Sequence, residues 1–299
     1  MQQRISFSTA AMLTTAPFLW AGNAVVGRIV SPMVPPLTLN FLRWTIALLI
    51  LLPLAYPVLR PGSDLWTHWK RFAVLGLLGI GLYNAFQYLA LQSSTPINVT
   101  LVAASMPVWM LLTGRLFFGT PVSTKQMLGA VLSIGGVLLV LSRGDWNQLV
   151  GLRVVPGDAY MLLATIAWSL YSWLLTRLGA MQDVRRTWSS FLLAQVSFGV
   201  AWSGLFAAGE WTFGRPSIDW TPTLIAALAF VAIGPAIIAF RCWGSGVQRA
   251  GPTLAAFFSN LTPLFAALMS SAFLGEVPHG YHVAAFLLIV AGIVVSSRR

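Results

Sequence analysis

Ten apolar stretches follow one another along the chain, separated by short polar or Pro/Gly-rich breaks, at residues 9–30, 36–56, 70–91, 97–117, 124–142, 158–178, 187–208, 222–246, 252–274 and 280–297. With a rise of about 1.5 Å per residue, a helix of such length crosses a hydrocarbon layer of roughly 30 Å. Hydrocarbon offers no partner to backbone N–H and C=O groups, so these segments are expected as helices and not as strands. The pattern predicts an all-α membrane protein with ten transmembrane helices. The first stretch follows Arg4 as a secretion signal would, but it contains Pro17, Trp20, Gly22 and Asn23 and lacks a small-x-small cleavage site. It is read as a retained helix.

The pattern also repeats. Shifted by 156 residues, Gln92, Pro96, Pro107, Leu112, Phe117, Gly119, Leu132, Gly136 and Arg143 fall on Gln248, Pro252, Pro263, Leu268, Phe273, Gly275, Leu288, Gly292 and Arg299. At a shift of 148, Ala11, Ala16 and Trp20 fall on Ala159, Ala164 and Trp168. Prolines and glycines mark backbone geometry, so their recurrence in register with the apolar blocks points to two copies of one unit. The units are 1–143, with helices 1 to 5, and 158–299, with helices 6 to 10, joined by an outer loop over 144–157. Five spans is an odd number, so the second unit is expected upside down relative to the first. Inverted repeats of this kind are a signature of secondary transporters, because exchanging the two units' conformations turns an outward-open state into an inward-open one.

Composition agrees with a bilayer. The chain is 57% apolar and only 8% charged, with a mean hydropathy of +0.79, against roughly 25% charged residues in soluble domains. Eighteen basic and seven acidic residues leave a net charge of +11. Placement of the basic residues removes the need for a nucleic-acid partner. With the N-terminus cytoplasmic, the inner side collects thirteen (Arg4, Arg60, Lys70, Arg71, Arg115, Lys125, Arg177, Arg185, Arg186, Arg241, Arg249, Arg298 and Arg299) and the outer side four (Arg28, Arg143, Arg153 and Arg215). This bias places both termini in the cytoplasm of a bacterial inner membrane. Cys242 is the single cysteine; no metal-ligand spacing, phosphate loop or catalytic constellation accompanies it, so no cofactor, metal or enzymatic activity is expected.

Polar and aromatic residues inside the helices are the candidates for a solute pathway. Tyr83, Asn84, Gln87 and Tyr88 share one face of helix 3, and such a face needs a wet cavity or polar neighbours, because an amide turned to lipid is costly. Trp20 and Asn23 on helix 1 and Trp168, Tyr171 and Ser172 on helix 6 repeat the theme, with Trp20 and Trp168 expected to approach the central axis from opposite leaflets. Helix 4 adds Ser105 and Trp109, and helix 9 adds Ser259 and Asn260. Helix-to-helix bonding is the alternative for all of them. Trp66, Trp69, Trp188, Trp211 and Trp220 lie near helix ends and are read as interface anchors. Arg43 stands inside helix 2, where it either binds a carboxylate, holds an outer gate or snorkels to the interface. Pro96 and Pro252 suit first turns, whereas Pro107 and Pro263 are expected mid-helix as hinges or fixed kinks.

The stretch Tyr88 to Gly136, with Ala90, Leu91, Ser94, Pro96, Pro107, Gly119 and Gly136, and its counterpart with Pro252, Pro263, Phe273, Leu274, Gly275, Glu276 and Gly292, resembles the ten-helix EamA-type branch of the drug/metabolite transporter superfamily. Glu276 matches that family's Phe-Leu-Gly-Glu block, while Thr120 replaces the first unit's acidic residue. The resemblance implies a carrier exporting amino acids and other metabolites; the Trp- and Tyr-rich helices look most like the YddG-type aromatic amino-acid exporters. The expected partners are the lipid bilayer and a small-molecule substrate. Export of amphipathic drugs or nucleobase-like metabolites is the alternative substrate class, and a non-transporting membrane receptor the alternative of another kind.

Overall fold

A computed structural model of the chain describes residues 6–94, 99, 102–150, 155–177, 179, 181, 184, 187–214, 216–274 and 280–297. Pro96, Asp183, Gly275, Glu276, His279 and the arginines Arg4, Arg153, Arg185, Arg186, Arg215, Arg298 and Arg299 lie outside these residues. Every regular element among the described residues is helical. In chain order these are α1 (Phe7–Val30), α2 (Pro36–Ala55), α3 (Trp69–Ser93), α4 (Met106–Phe118), α5 (Thr124–Leu141), α6 (Pro156–Leu174), α7 (Trp188–Phe213), α8 (Pro222–Ala250), α9 (Pro252–Ser259 and Leu261–Leu274) and α10 (Gly280–Ser297). Short helices at Asp64–Thr67 and Asn147–Val150 lie between them. Seven, α2, α3, α5, α7, α8, α9 and α10, are long and apolar enough to cross a membrane.

The helix starts follow from capping. Ser6, Ser123, Thr187 and Thr221 each accept from a backbone amide of the first turn, and prolines open α2, α6, α8 and α9, where a missing N–H costs nothing. The N-terminus of α2 is capped from another helix. Glu210 on α7 accepts from the amides of Leu37 (3.1 Å) and Thr38 (2.8 Å) and from the Thr38 hydroxyl (2.7 Å). The apolar stretch 187–208 stops short of Glu210, yet α7 runs on to Phe213, because those donors hold the carboxylate inside its last turn.

Three helices depart from regular geometry. α3 and α8 each contain a π-helical turn, at Leu77–Leu82 and Ala232–Ile238, which correspond within one residue at the 156-residue shift. A π turn takes backbone carbonyls out of their usual bonding, and side chains supply substitutes here. Asn84 donates to the carbonyls of Gly79 (3.2 Å) and Ile80 (3.1 Å), and Asn40 on α2 donates to Ile80 as well (3.1 Å). In α8 the indole N–H of Trp20 reaches the carbonyl of Pro235 (3.4 Å). α9 breaks at Asn260, and the chain before α4 breaks at Ser105. Pro107 and Pro263 therefore do not sit in unbroken helix: each falls within the first three residues after a break, where the absent N–H is tolerated.

Packing is paired between the two halves. α5 lies on α10, α2 on α7 and α4 on α9, while α3 lies on α6 as α1 lies on α8, and α4 on α6 as α1 on α9. α5 and α10 approach closely through glycines. A Cβ on Gly129 would stand 2.7 Å from the Gly292 carbonyl oxygen, and one on Gly292 would stand 2.7 Å from that of Gly129. Without apolar transfer to drive association inside lipid, such small-residue seams let helices gain dispersion contact. Leu49, Leu54, Val131, Leu205, Ile225, Val283 and Leu287 are exposed on the outer faces, as suits lipid-facing positions.

Candidate functional site

Two clusters occupy the interior. The first is built around Arg43, only 2% exposed, whose guanidinium donates to Asn23 Oδ1 (3.2 Å), Tyr88 Oη (3.0 Å) and Asn84 Oδ1 (2.8 Å). These partners come from α1 and α3, so one side chain ties three helices together. The guanidinium carbon also lies 5.2 Å from the Trp44 ring centroid. Among the described residues no carboxylate pairs with Arg43, and its Nε, Asn40 Oδ1 and Trp44 Nε1 are buried without a hydrogen-bond partner. Snorkelling is ruled out by this burial: neutral oxygens from neighbouring helices solvate the cation in place of water.

The second cluster is aromatic. Trp20 and Trp168 meet edge to face at 5.2 Å, and Trp243 lies 5.3 Å from Trp20. Tyr83 (4.6 Å), Tyr171 (4.9 Å) and Phe240 (5.4 Å) surround the same Trp168 ring. Polar tips are satisfied by neighbours, with Trp243 Nε1 donating to Ser172 Oγ (3.1 Å) and Tyr171 Oη to Gln195 Oε1 (2.9 Å). Trp44 joins the clusters, since its ring packs on Phe240 at 4.7 Å. Gln87 is half-buried, one helical turn after Tyr83 on α3.

Of the residues singled out from sequence, the structure brings together Trp20, Asn23, Arg43, Tyr83, Asn84, Gln87, Tyr88, Trp168 and Tyr171. Asn260 is elsewhere: it is buried and donates to Ser133 Oγ on α5 (3.0 Å). Ser105 bonds to the Val102 carbonyl and Ser259 to that of Ala256, and half-buried Trp109 makes no ring contact with the cluster among the described residues. Trp44, Gln195, Phe240 and Trp243 were missed. Phe240 and Trp243 stand 156 residues after Asn84 and Gln87, so carrying the α3 face across the repeat finds them. A cavity of about 200 Å³ opens beside the aromatic cluster, between α6, the start of α7 and the second half of α8.

The profile of the EamA-like transporter family matches the chain twice, over residues 7–142 and 155–298. An uncharacterized transporter of Archaeoglobus fulgidus is 25% identical over 97% of this chain and 98% of its own. The aromatic amino acid exporter YddG of Ancylobacter novellus is 26% identical over 98% of both, and a probable amino-acid metabolite efflux pump of Salmonella typhimurium 27% identical over 93% of this chain and 91% of its own. One solved crystal structure, 25% identical, superposes with a TM-score of 0.74 over 96% of each chain. A helical, lipid-faced chain with a polar and aromatic interior, matched along both halves by one profile, belongs to the EamA-like transporter family of multi-pass membrane proteins.

Proposed function

We propose that this transporter is a ten-span carrier of two inverted five-helix units, 1–143 and 158–299, which moves small organic solutes, foremost amino acids including aromatic ones, by alternating access in a bacterial inner membrane with both termini cytoplasmic. The double profile match, the paired packing of the halves and the corresponding π turns support the repeat. The observation carrying the substrate class is the juxtaposition of Arg43 and its neutral oxygen ligands with the Trp20, Tyr83, Trp168 and Trp243 rings. A cation with no carboxylate partner among the described residues suits a carboxylate-bearing solute, the rings suit its apolar body, and the Asn23 and Asn84 oxygens suit an ammonium group. The relatives named as aromatic amino acid and amino-acid metabolite exporters point the same way.

The test is counterflow into liposomes holding purified protein, with a panel of aromatic, aliphatic and charged amino acids, nucleobases and cationic dyes. Aromatic amino acids are expected to exchange fastest. Exchange of the dyes with none of the amino acids would overturn the substrate class in favour of drug export.

A further inference from the structure

The cavity beside the aromatic cluster belongs to the same positions of the second unit that hold the Arg43 network in the first. The shift between units is 148 residues at their first helices and 156 at their third. It is 152 at their second, since α2 opens at Pro36 and α7 at Trp188. With these shifts Asn23, Arg43, Asn84 and Tyr88 correspond to Tyr171, Gln195, Phe240 and Gly244. All four of the latter line the cavity. The bonding corresponds too, as Arg43 is held by Asn23 and Gln195 by Tyr171. Where Tyr88 fills the first unit with a phenol, Gly244 presents no side chain, and a Cβ built on it would meet nothing within 4 Å.

We infer that this cavity, lined by Tyr171, Trp188, Gln195, Phe240, Arg241 and Gly244, is the inner solute site of the carrier, and that it takes a free solute combining a carboxylate with an aromatic or apolar body. The inference rests on the transport reading above. The chemistry comes from the lining. Arg241 lies over the Trp188 ring at 4.5 Å, and among the described residues no carboxylate pairs with it, so a guanidinium faces incoming anions at the mouth. Phe240, Tyr171 and Trp188 supply ring surface, and the volume of about 200 Å³ admits one small amphiphile. The site lies at the end of the bundle that the basic residues mark as cytoplasmic. The closed Arg43 network at the opposite end is its counterpart, so exchange of the two arrangements would open the outer site as this one closes.

The test introduces Ser245→Cys, at a cavity-lining position, into a Cys242→Ser background and follows labelling by a membrane-impermeant maleimide in intact cells and in inverted vesicles. Labelling is expected in inverted vesicles, slowed by phenylalanine and by N-acetylphenylalanine but not by phenethylamine, which lacks the carboxylate. The same protection is expected in phosphatidylcholine vesicles; protection by anionic lipid with none by the solutes would overturn the assignment to a free solute. Labelling from outside only, or equal protection by the amine, would also overturn it. Gly244→Leu should abolish counterflow with an unchanged unfolding midpoint, because the new side chain grows into the cavity and not into packed atoms. Arg241→Gln should weaken apparent affinity by about tenfold, the size of one lost charge-assisted hydrogen bond. If wild-type protein transports none of the panel while the solutes still protect the thiol of the Ser245→Cys variant, the transport reading fails and the site stands; if it transports them and none protects, the site fails alone.

Discussion

Arg43 shows how much a single residue in this interior controls. Its guanidinium fork reaches oxygens on α1 and α3 at once, which an ammonium on a lysine stem does not reproduce. Arg43→Lys is therefore expected to keep the charge yet slow counterflow by about tenfold or more, as the loss of one charge-assisted hydrogen bond predicts. Unimpaired exchange by Arg43→Lys and Arg43→Gln alike would assign the residue to packing. Glu210 acts at the surface of the bundle, where one carboxylate accepts three donors at the N-terminus of α2. Glu210→Gln removes the charge from that helix end and leaves one carboxylate oxygen replaced by a donor, so thermal unfolding should report a loss of about 1–3 kcal/mol. Asn260 is expected to matter less than its sequence position implied. Its bond to Ser133 is worth about 0.6 kcal/mol on the scale of interhelical bonds in membranes, and Asn260→Ala should exchange solute nearly as wild type.

Among the elements, α5 and α10 depend on glycine for close approach. Gly129→Leu would drive a side chain into the Gly292 carbonyl and Ser296, so the helices must separate. Size-exclusion chromatography should show loss of monodisperse protein, whereas Gly135→Leu on the same helix, with nothing within 4 Å of its Cβ, should remain monodisperse. Tolerance of both would mean that the α5–α10 seam is looser than its geometry. The kinks belong to elements as well. Breaks at Ser105 and Asn260 put Pro107 and Pro263 in restarted turns, so bending of each half is proposed at the break ahead of the proline. The π turns were not legible from sequence: Gly79 and Pro235 have little in common as residues, and the turns persist because Asn84, Asn40 and Trp20 from packed positions take up the freed carbonyls.

For the whole molecule, the proposed topology predicts that reporters fused after Lys125 read cytoplasmic and those after Gly144 and Gly214 read outside; an even number of spans in either half would sink the inverted arrangement. Energy coupling belongs to the same scale. Asp158 lies in the first turn of α6 and Glu210 in the last of α7, and His282 in the first turn of α10, so among the described residues no carboxylate or imidazole sits mid-span. We expect a facilitator whose direction follows the solute gradient. Liposomes with equal solute on both sides and an imposed pH or sodium gradient should show no accumulation, and uphill uptake driven by either gradient would overturn that expectation.

What the sequence by itself determined was everything that depends on the solvent and on local backbone chemistry. Runs of apolar residues about as long as a bilayer is thick leave the backbone no option but helices, and prolines and glycines recur at a common shift in the two segments that one family profile matches. The face of Tyr83, Asn84, Gln87 and Tyr88 was legible for the same reason, since helical spacing alone places these residues together. Partnership was not. Whether Asn84 would serve Arg43, whether Asn260 would serve a pathway or a neighbouring helix, and whether Trp188 would anchor at the interface or line a cavity turned on residues brought close from distant parts of the chain. In a lipid-faced bundle the interior is chosen by which helix faces meet, and that choice is made by pairs such as Gly129 with Gly292 that no single segment specifies.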